Sequence, residues 1–262
     1  MLFVGYLVLG AFAGMLAGLF GIGGGLIIVP VLVLSFHAQG VAPEIITHLA
    51  LGTSLPTMIF TGFSSLRAHQ EAGAVDWVMI RRLGAGMFIG AWLGGLTASQ
   101  LSASTLNIII GCFAWTMALQ MGLNLKPKAE RQMPGPVGTG IAGAVIGWLS
   151  ALFGIGGGSM TVPYLSWNSV PMRNAVAASA ACSMPIALAG SLSYLYAGWG
   201  HADLPEWSVG YIYLPALLGI VLTSTQFARV GAKLAHRLSP KRLKQAFALL
   251  MLVVGAKFML FS

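Results

Sequence analysis

The eleven residues FGIGGGLIIVP at 20–30 recur as FGIGGGSMTVP at 153–163, identical at eight positions and displaced by 133 residues in a chain of 262. The chain is therefore read as two copies of one unit, and its fold has to use the same local structure twice. Each copy must also accommodate four glycines within five residues, a run that makes a poor continuous helix. A second related pair, LALGTSLPTMIFTG (49–62) and ASAACSMPIALAGS (178–191), aligns Ser54 with Ser183 and Pro56 with Pro185. Its displacement is 129, so an indel separates the two blocks.

The segments around these repeats are apolar at membrane scale. Hydrophobic residues make up 57% of the chain and charged ones 8%, a balance that excludes a water-soluble domain of this size. Stretches of about 17–25 apolar residues can span a hydrocarbon core as helix. They are read at 44–66, 77–99, 103–123, 174–197, 207–228 and 243–261. Two further stretches, 2–36 and 136–168, carry the glycine runs in their middles. The runs are continuously apolar, where barrel strands would alternate, so the predicted fold class is an all-α polytopic membrane protein. The start MLFVGYLVLGAF has no basic leader and no small-residue cleavage site, so Met1 onward is expected to be the first helix.

Each glycine-broken stretch is slightly short for two full spans and a turn, and is expected to form a hairpin that returns the chain to its starting side. Its tip either reaches the far side or stops inside. Three further helices then place the second copy on the opposite side from the first, which makes the repeat inverted, with five helical segments in each copy and about ten in all. Lys and Arg give an independent check. Thirteen of the fourteen fall in segments assigned to one face: Arg67, Arg81, Arg82, Lys126, Lys128, Arg131, Arg173, Arg229, Lys233, Arg237, Lys241, Arg242 and Lys244. The fourteenth, Lys257, can snorkel to the other surface. The positive-inside rule makes the basic face cytoplasmic and puts both termini on the periplasmic or extracellular side. The net charge of +8 is accounted for by this asymmetry, so no nucleic-acid role is inferred from it. The expected units are 1–124 and 136–262, joined by a polar cytoplasmic linker at 125–135.

Paired glycine-broken segments near the midplane are a sequence pointer to a transporter's binding site. If the runs Gly21, Gly23, Gly24, Gly25 and Gly154, Gly156, Gly157, Gly158 break the helix, the amides that follow, from Leu26 and from Ser159 onward, have no intrahelical acceptor. They lie at the positive end of a helix dipole, which suits a small anion. A buried Lys or Arg would cost on the order of 2.5–3.5 kcal/mol at mid-membrane, and a helix end avoids that full charge. The packing alternative is that the glycines only allow close helix contact. Pro30 and Pro163 follow each run by five residues, either as kinks or as gating elements.

Thr53, Ser54 and Thr57 in the first copy, and Ser179 and Ser183 in the second, are hydroxyl donors on apolar helices. They could complete an oxyanion's hydrogen bonds or serve as interhelical contacts and carbonyl caps. Glu44 and His48 share a helical face and are the candidates for proton coupling, against a satisfied interfacial histidine. Trp77, Trp199 and Trp207 read as interfacial anchors. Cys112 and Cys182 have no ligand-type spacing, so neither a metal site nor a disulfide is inferred, and no cofactor motif is present. Gly156-Gly-Gly-Ser159 invites comparison with a nucleophile turn. However, the first copy has Leu26 at that position and no mid-membrane acid is placed to orient a histidine, so an enzyme is not expected.

With these motifs in place, the chain resembles the TauE/SafE, or sulfite exporter (TSUP), family of membrane proteins. The motif G-[IVL]-G-G-G-x-x-x-V-P is matched by Gly21 to Pro30 and by Gly154 to Pro163, T-S-L by Thr53-Ser54-Leu55, and the loop H-x-x-x-G-x-V-D-W by His69, Gly73, Val75, Asp76 and Trp77. The second copy departs from T-S-L, with Cys182-Ser183-Met184. The resemblance implies a secondary carrier for a small sulfur-containing anion such as sulfite, thiosulfate, sulfoacetate or a related organosulfur acid, in a bacterial inner membrane. Alternating access around the glycine turns, with protons as the candidate coupling ion, is the expected mechanism. The alternative is an anion channel that uses the same helix ends as a filter.

Overall fold

The computed structural model describes residues 2–20, 25–71, 73, 75–123, 132–235 and 240–260. Among them are ten helices: α1 (Leu2–Phe20), α2 (Gly25–Ala38), α3 (Pro43–Glu71), α4 (Trp77–Gln100), α5 (Ala103–Gly122), α6 (Pro136–Leu152), α7 (Gly158–Trp167), α8 (Met172–Ala197), α9 (Leu214–Ala235) and α10 (Pro240–Leu260). A two-stranded antiparallel ladder, β1 (Ser208–Val209) and β2 (Ile212–Tyr213), precedes α9. Helix starts follow local chemistry. Pro43, Pro136 and Pro240 each open a helix, where a missing amide proton costs nothing. Asp76 caps α4, its carboxylate accepting from the amides of Val78 (3.0 Å) and Met79 (3.1 Å).

Windows in α3 (Pro43–Phe63), α5 (Ala103–Gln120) and α8 (Met172–Ala197) are long and apolar enough to cross a membrane, and shorter apolar helices accompany them. The stretch 136–168 forms two helices with a break at its glycines, as expected; in 2–36 the helices α1 and α2 flank 21–24, where the expected break lies outside the described residues. At about 1.5 Å per residue, the ten residues of α7 rise roughly 15 Å, half the thickness of a hydrocarbon core.

Small residues set the closest helix pairs. A Cβ on Gly86, Gly90 or Gly94 of α4 would run into the backbone at Gly140, Ala144 and Trp148 of α6. Gly143 and Gly147 of α6 meet Leu83 and Met87 in return. The matched numbers rise together, so α4 and α6 are parallel. Likewise Gly10 and Gly14 of α1 lie against Ile220 and Ser224 of α9, also parallel. This is a small-residue stripe used to bring backbones together where apolar side chains gain nothing from leaving lipid. In the interior α3 packs on α8 and α4 on α8, while α5 pairs with α10.

One expected helix starts late. The stretch 207–228 was expected to be helical throughout, but α9 begins at Leu214 and 207–213 form a hairpin. Trp207 has φ +68° and Gly210 φ +56°, both incompatible with a right-handed helix. Val209, Tyr211, Ile212 and Tyr213 are residues of strand character. An apolar run of this composition cannot be divided between strand and helix by hydropathy alone.

Candidate functional site

The second glycine run resolves into a helix stop, a turn and a helix start. Gly154, at φ +61°, is the left-handed residue that ends α6. The amide of Ile155 donates to the Ser150 carbonyl (2.9 Å) and that of Gly154 to the Ala151 carbonyl (3.3 Å), the two bonds of a Schellman motif. Gly157 is the N-cap of α7, and its carbonyl accepts from Thr161 (2.7 Å). The amides of Gly158 and Ser159 open that helix and have no acceptor within it. The first turn's Gly21, Gly23 and Gly24 lie outside the described residues, whereas Gly25 and Leu26 are buried at the start of α2.

The two runs come together. A Cβ on Gly25 would stand 2.5 Å from the Gly154 carbonyl oxygen and 2.8 Å from Ile155 Cα, and would collide with Met58 Cε. A Cβ on Gly154 would stand 2.6 Å from Leu51 Cδ2, 2.9 Å from Ser54 Oγ and 2.9 Å from Val29 Cγ2. On the other side, Gly156 faces Met58 Sδ and Ser183 Oγ, each 3.3 Å from the Cβ position. Thus α2, α3 and α8 all converge on the 154–157 turn. Ser54 and Ser183, aligned in sequence, both touch it.

The hydroxyls are engaged to different degrees. Ser54 Oγ lies 2.9 Å from the Leu51 carbonyl and 3.1 Å from that of Gly154, so one proton serves two acceptors. Ser183 donates to the Ser179 carbonyl (3.0 Å), one turn back in α8. Thr57 donates to the Ser54 carbonyl. Thr53 Oγ1 is occupied elsewhere, accepting from the amide of Tyr213 (3.0 Å). Ser159 and Thr161 on α7 are buried and their hydroxyls make no hydrogen bond among the described residues. Thr161 Oγ1 lies 3.0 Å from the Cβ position of Gly157. Thr161 was not singled out in the sequence, because its partner in the first copy is the apolar Ile28 and no repeat signal marks it. Met58 was missed because a methionine on an apolar helix carries no signal of its own. Pro30 and Pro163 lie inside α2 and α7, and Pro56 and Pro185 inside α3 and α8.

Glu44 and His48 are away from this turn. They line a pocket of about 440 Å³ with Ser99, Asn107, His201 and Tyr211, between the starts of α3 and α5 and the end of α4. His48 Nε2 lies 3.1 Å from each of the Ala98 and Leu101 carbonyls. Two acceptors require the proton on Nε2, so His48 caps the C-terminal end of α4. Its ring stacks on Tyr211 at 5.3 Å. Arg67 lies toward the opposite end of α3 from this pocket, and Arg81 and Arg82 toward the opposite end of α4. Among the described residues His48 is the only ionisable group of the His, Lys, Arg, Asp and Glu types that is buried, and no cluster of three metal-ligating side chains forms.

A family profile described as "Sulfite exporter TauE/SafE" matches residues 6–258. A "Probable membrane transporter protein" of Haemophilus influenzae is 37% identical over 255 residues, covering 97% of both chains. Related proteins with the same description include one of Methanocaldococcus jannaschii, 26% identical over 95% of this chain and 92% of its own. Another, of Bacillus subtilis, is 28% identical over 98% and 97%. No solved structure matches the chain significantly.

Proposed function

This chain belongs to the sulfite exporter TauE/SafE family of membrane transporters, and we propose that it carries a small sulfur-containing anion across the bacterial inner membrane by alternating access. The anion is sulfite, thiosulfate, sulfoacetate or a related organosulfur acid. The observation that carries this reading is the approach of Gly25 to Gly154 and Ile155, which puts the start of α2 beside the turn that starts α7. Both glycine runs then contribute to one place. An anion there meets the amides of Gly158 and Ser159 and the partial positive charge of the α7 N-terminus. The hydroxyl of Ser159, with those of Ser54 and Ser183 after rotation away from their carbonyls, adds donors without adding charge. Weak, neutral donors favour release as well as binding.

The packing supports an inverted five-plus-five repeat. Exchanging the two halves turns α1 into α6 and α9 into α4, and the two pairs α1·α9 and α6·α4 are both close, parallel and glycine-lined. Each hairpin thereby rests on the fourth helix of the other half, the arrangement needed for one half to rock against the other around a shared site. We place the arginine-bearing ends of α3 and α4 in the cytoplasm, both chain termini outside, and proton coupling, where it operates, at Glu44 and His48.

Counterflow in proteoliposomes tests the reading. Liposomes loaded with unlabelled sulfite or thiosulfate should transiently accumulate the labelled anion through a carrier. Gradient-driven flux without counterflow would assign the same site to a channel.

A further inference from the structure

The connection between α8 and α9, residues 198–213, is three times as long as its counterpart at 72–76 in the first half, and it does not stay at the surface. After Gly198 ends α8, the chain doubles back so that the Tyr211 amide donates to the Tyr194 carbonyl (3.2 Å). Gly210 is seated on α8, where a Cβ would stand 2.7 Å from Leu195 Cα. Gly52 is the matching seat on α3, because a Cβ there would strike the Tyr211 carbonyl. Tyr213 donates its amide to Thr53 Oγ1 at 3.0 Å and sets its ring edge-on to Tyr6 (5.9 Å) and Phe36 (5.7 Å). Tyr211, Ile212 and Tyr213 are all buried.

Two features make this hairpin more than a filled loop. It is displaced from the glycine turn toward the hairpin end of three shared helices, meeting α2 at Phe36, α3 at Gly52 and Thr53, and α8 at Leu195, where the turn meets them at Val29, Ser54 and Ser183. It also forms a wall of the 440 Å³ pocket, to which it contributes Tyr211 and His201. The pocket runs from exposed Pro43, Glu44 and His201 to buried His48 and Tyr211. A ladder of two residues per strand is marginal by itself, so the hairpin's position depends on its contacts with α3 and α8.

We propose that the hairpin at 208–213 is the gate on the face opposite the arginines, with Thr53 as its latch, Gly52 as its seat and the pocket as the vestibule outside it. This inference rests on the transport reading. It assigns Thr53 to the gate rather than to the substrate.

The test tethers the hairpin to α3. In a Cys112→Ser, Cys182→Ala background, Ile45→Cys and Tyr211→Cys, which line the same pocket, are joined by a short bifunctional thiosulfonate, and the full-length protein is reconstituted. Labelled-sulfite or thiosulfate counterflow should fall at least tenfold on cross-linking and return on reduction. Undiminished counterflow in fully cross-linked protein would overturn the gate.

A second measurement holds where that variant does not fold or where no sulfur anion is transported by the unmodified protein. In a Cys112→Ser, Cys182→Ala background, Ser183→Cys places a thiol beside the turn, 3.3 Å from the Cβ position of Gly156 in the parent side chain. Gly52→Ala should displace the hairpin and raise severalfold the rate at which an impermeant maleimide, added from the hairpin side, labels that thiol. An unchanged rate would overturn the gate. Absent transport combined with faster labelling would retire the transport reading and leave the hairpin as the moving element.

Discussion

Ser54 Oγ stands 3.1 Å from the carbonyl oxygen of Gly154, a contact between residues one hundred positions apart that ties the central helix of the first half to the glycine turn of the second. Ser54→Ala removes the donor and leaves a buried carbonyl short of a partner. The expected loss is about 1–3 kcal/mol of stability, read as a fall in thermal midpoint, together with weaker anion binding. An unchanged midpoint would mean that the hydroxyl bonds only to Leu51.

Gly154 combines a left-handed conformation with contacts to Leu51, Ser54 and Val29. Gly154→Ala should cost more than the roughly 1–2 kcal/mol of the backbone strain alone, because the added methyl also displaces packed neighbours. Detergent-purified yield and melting temperature report it directly.

The glycine stripes make a sharper contrast. Gly90→Leu drives a side chain into the Ala144 backbone and should abolish assembly of α4 on α6, seen as loss of monodisperse protein. Gly5 has nothing within 4 Å of its Cβ position. Gly5→Ala should be neutral or stabilising by about 0.5–1 kcal/mol, so equal damage from both would contradict the packing.

Asp76, part of the family's loop motif, has a structural role as the cap of α4. Asp76→Ala should lose about 0.5–2 kcal/mol and Asp76→Asn much less, with the order of preference among anions unchanged in both. Altered anion preference in Asp76→Asn would instead assign the carboxylate to transport.

Much of this arrangement is legible in the sequence because the bilayer imposes it. Apolar runs mark helices, the second glycine run marks a break, and Asp76 before an apolar run marks a cap. The alignment of Ser54 with Ser183 finds two residues that do meet the same turn. Less visible are features set by tertiary contact. Thr53 looks like its neighbour Ser54, but helix geometry turns it toward Tyr213. That His48 is held by the Ala98 and Leu101 carbonyls at the end of α4 follows from tertiary contact that its place in the sequence does not carry. The hairpin at 207–213 hides in an apolar run that continues into α9, and only Gly210 hints at the reversal.

The most direct test of the central claim, that the glycine turns form the anion site, is the thermal shift of purified protein with sulfite, thiosulfate and short sulfonates, against chloride and short carboxylates, for the unmodified chain and for Gly157→Leu. A ligand that prefers the folded state raises the apparent stability. A Cβ at 157 already stands 2.7 Å from Ile186 Cδ1 and 3.0 Å from Thr161 Oγ1, so a Leu side chain there crowds the start of α7 and its free amides. The account predicts a selective shift with one sulfur anion that disappears in a Gly157→Leu protein of intact fold. The same shift in both proteins would place the site elsewhere and contradict it.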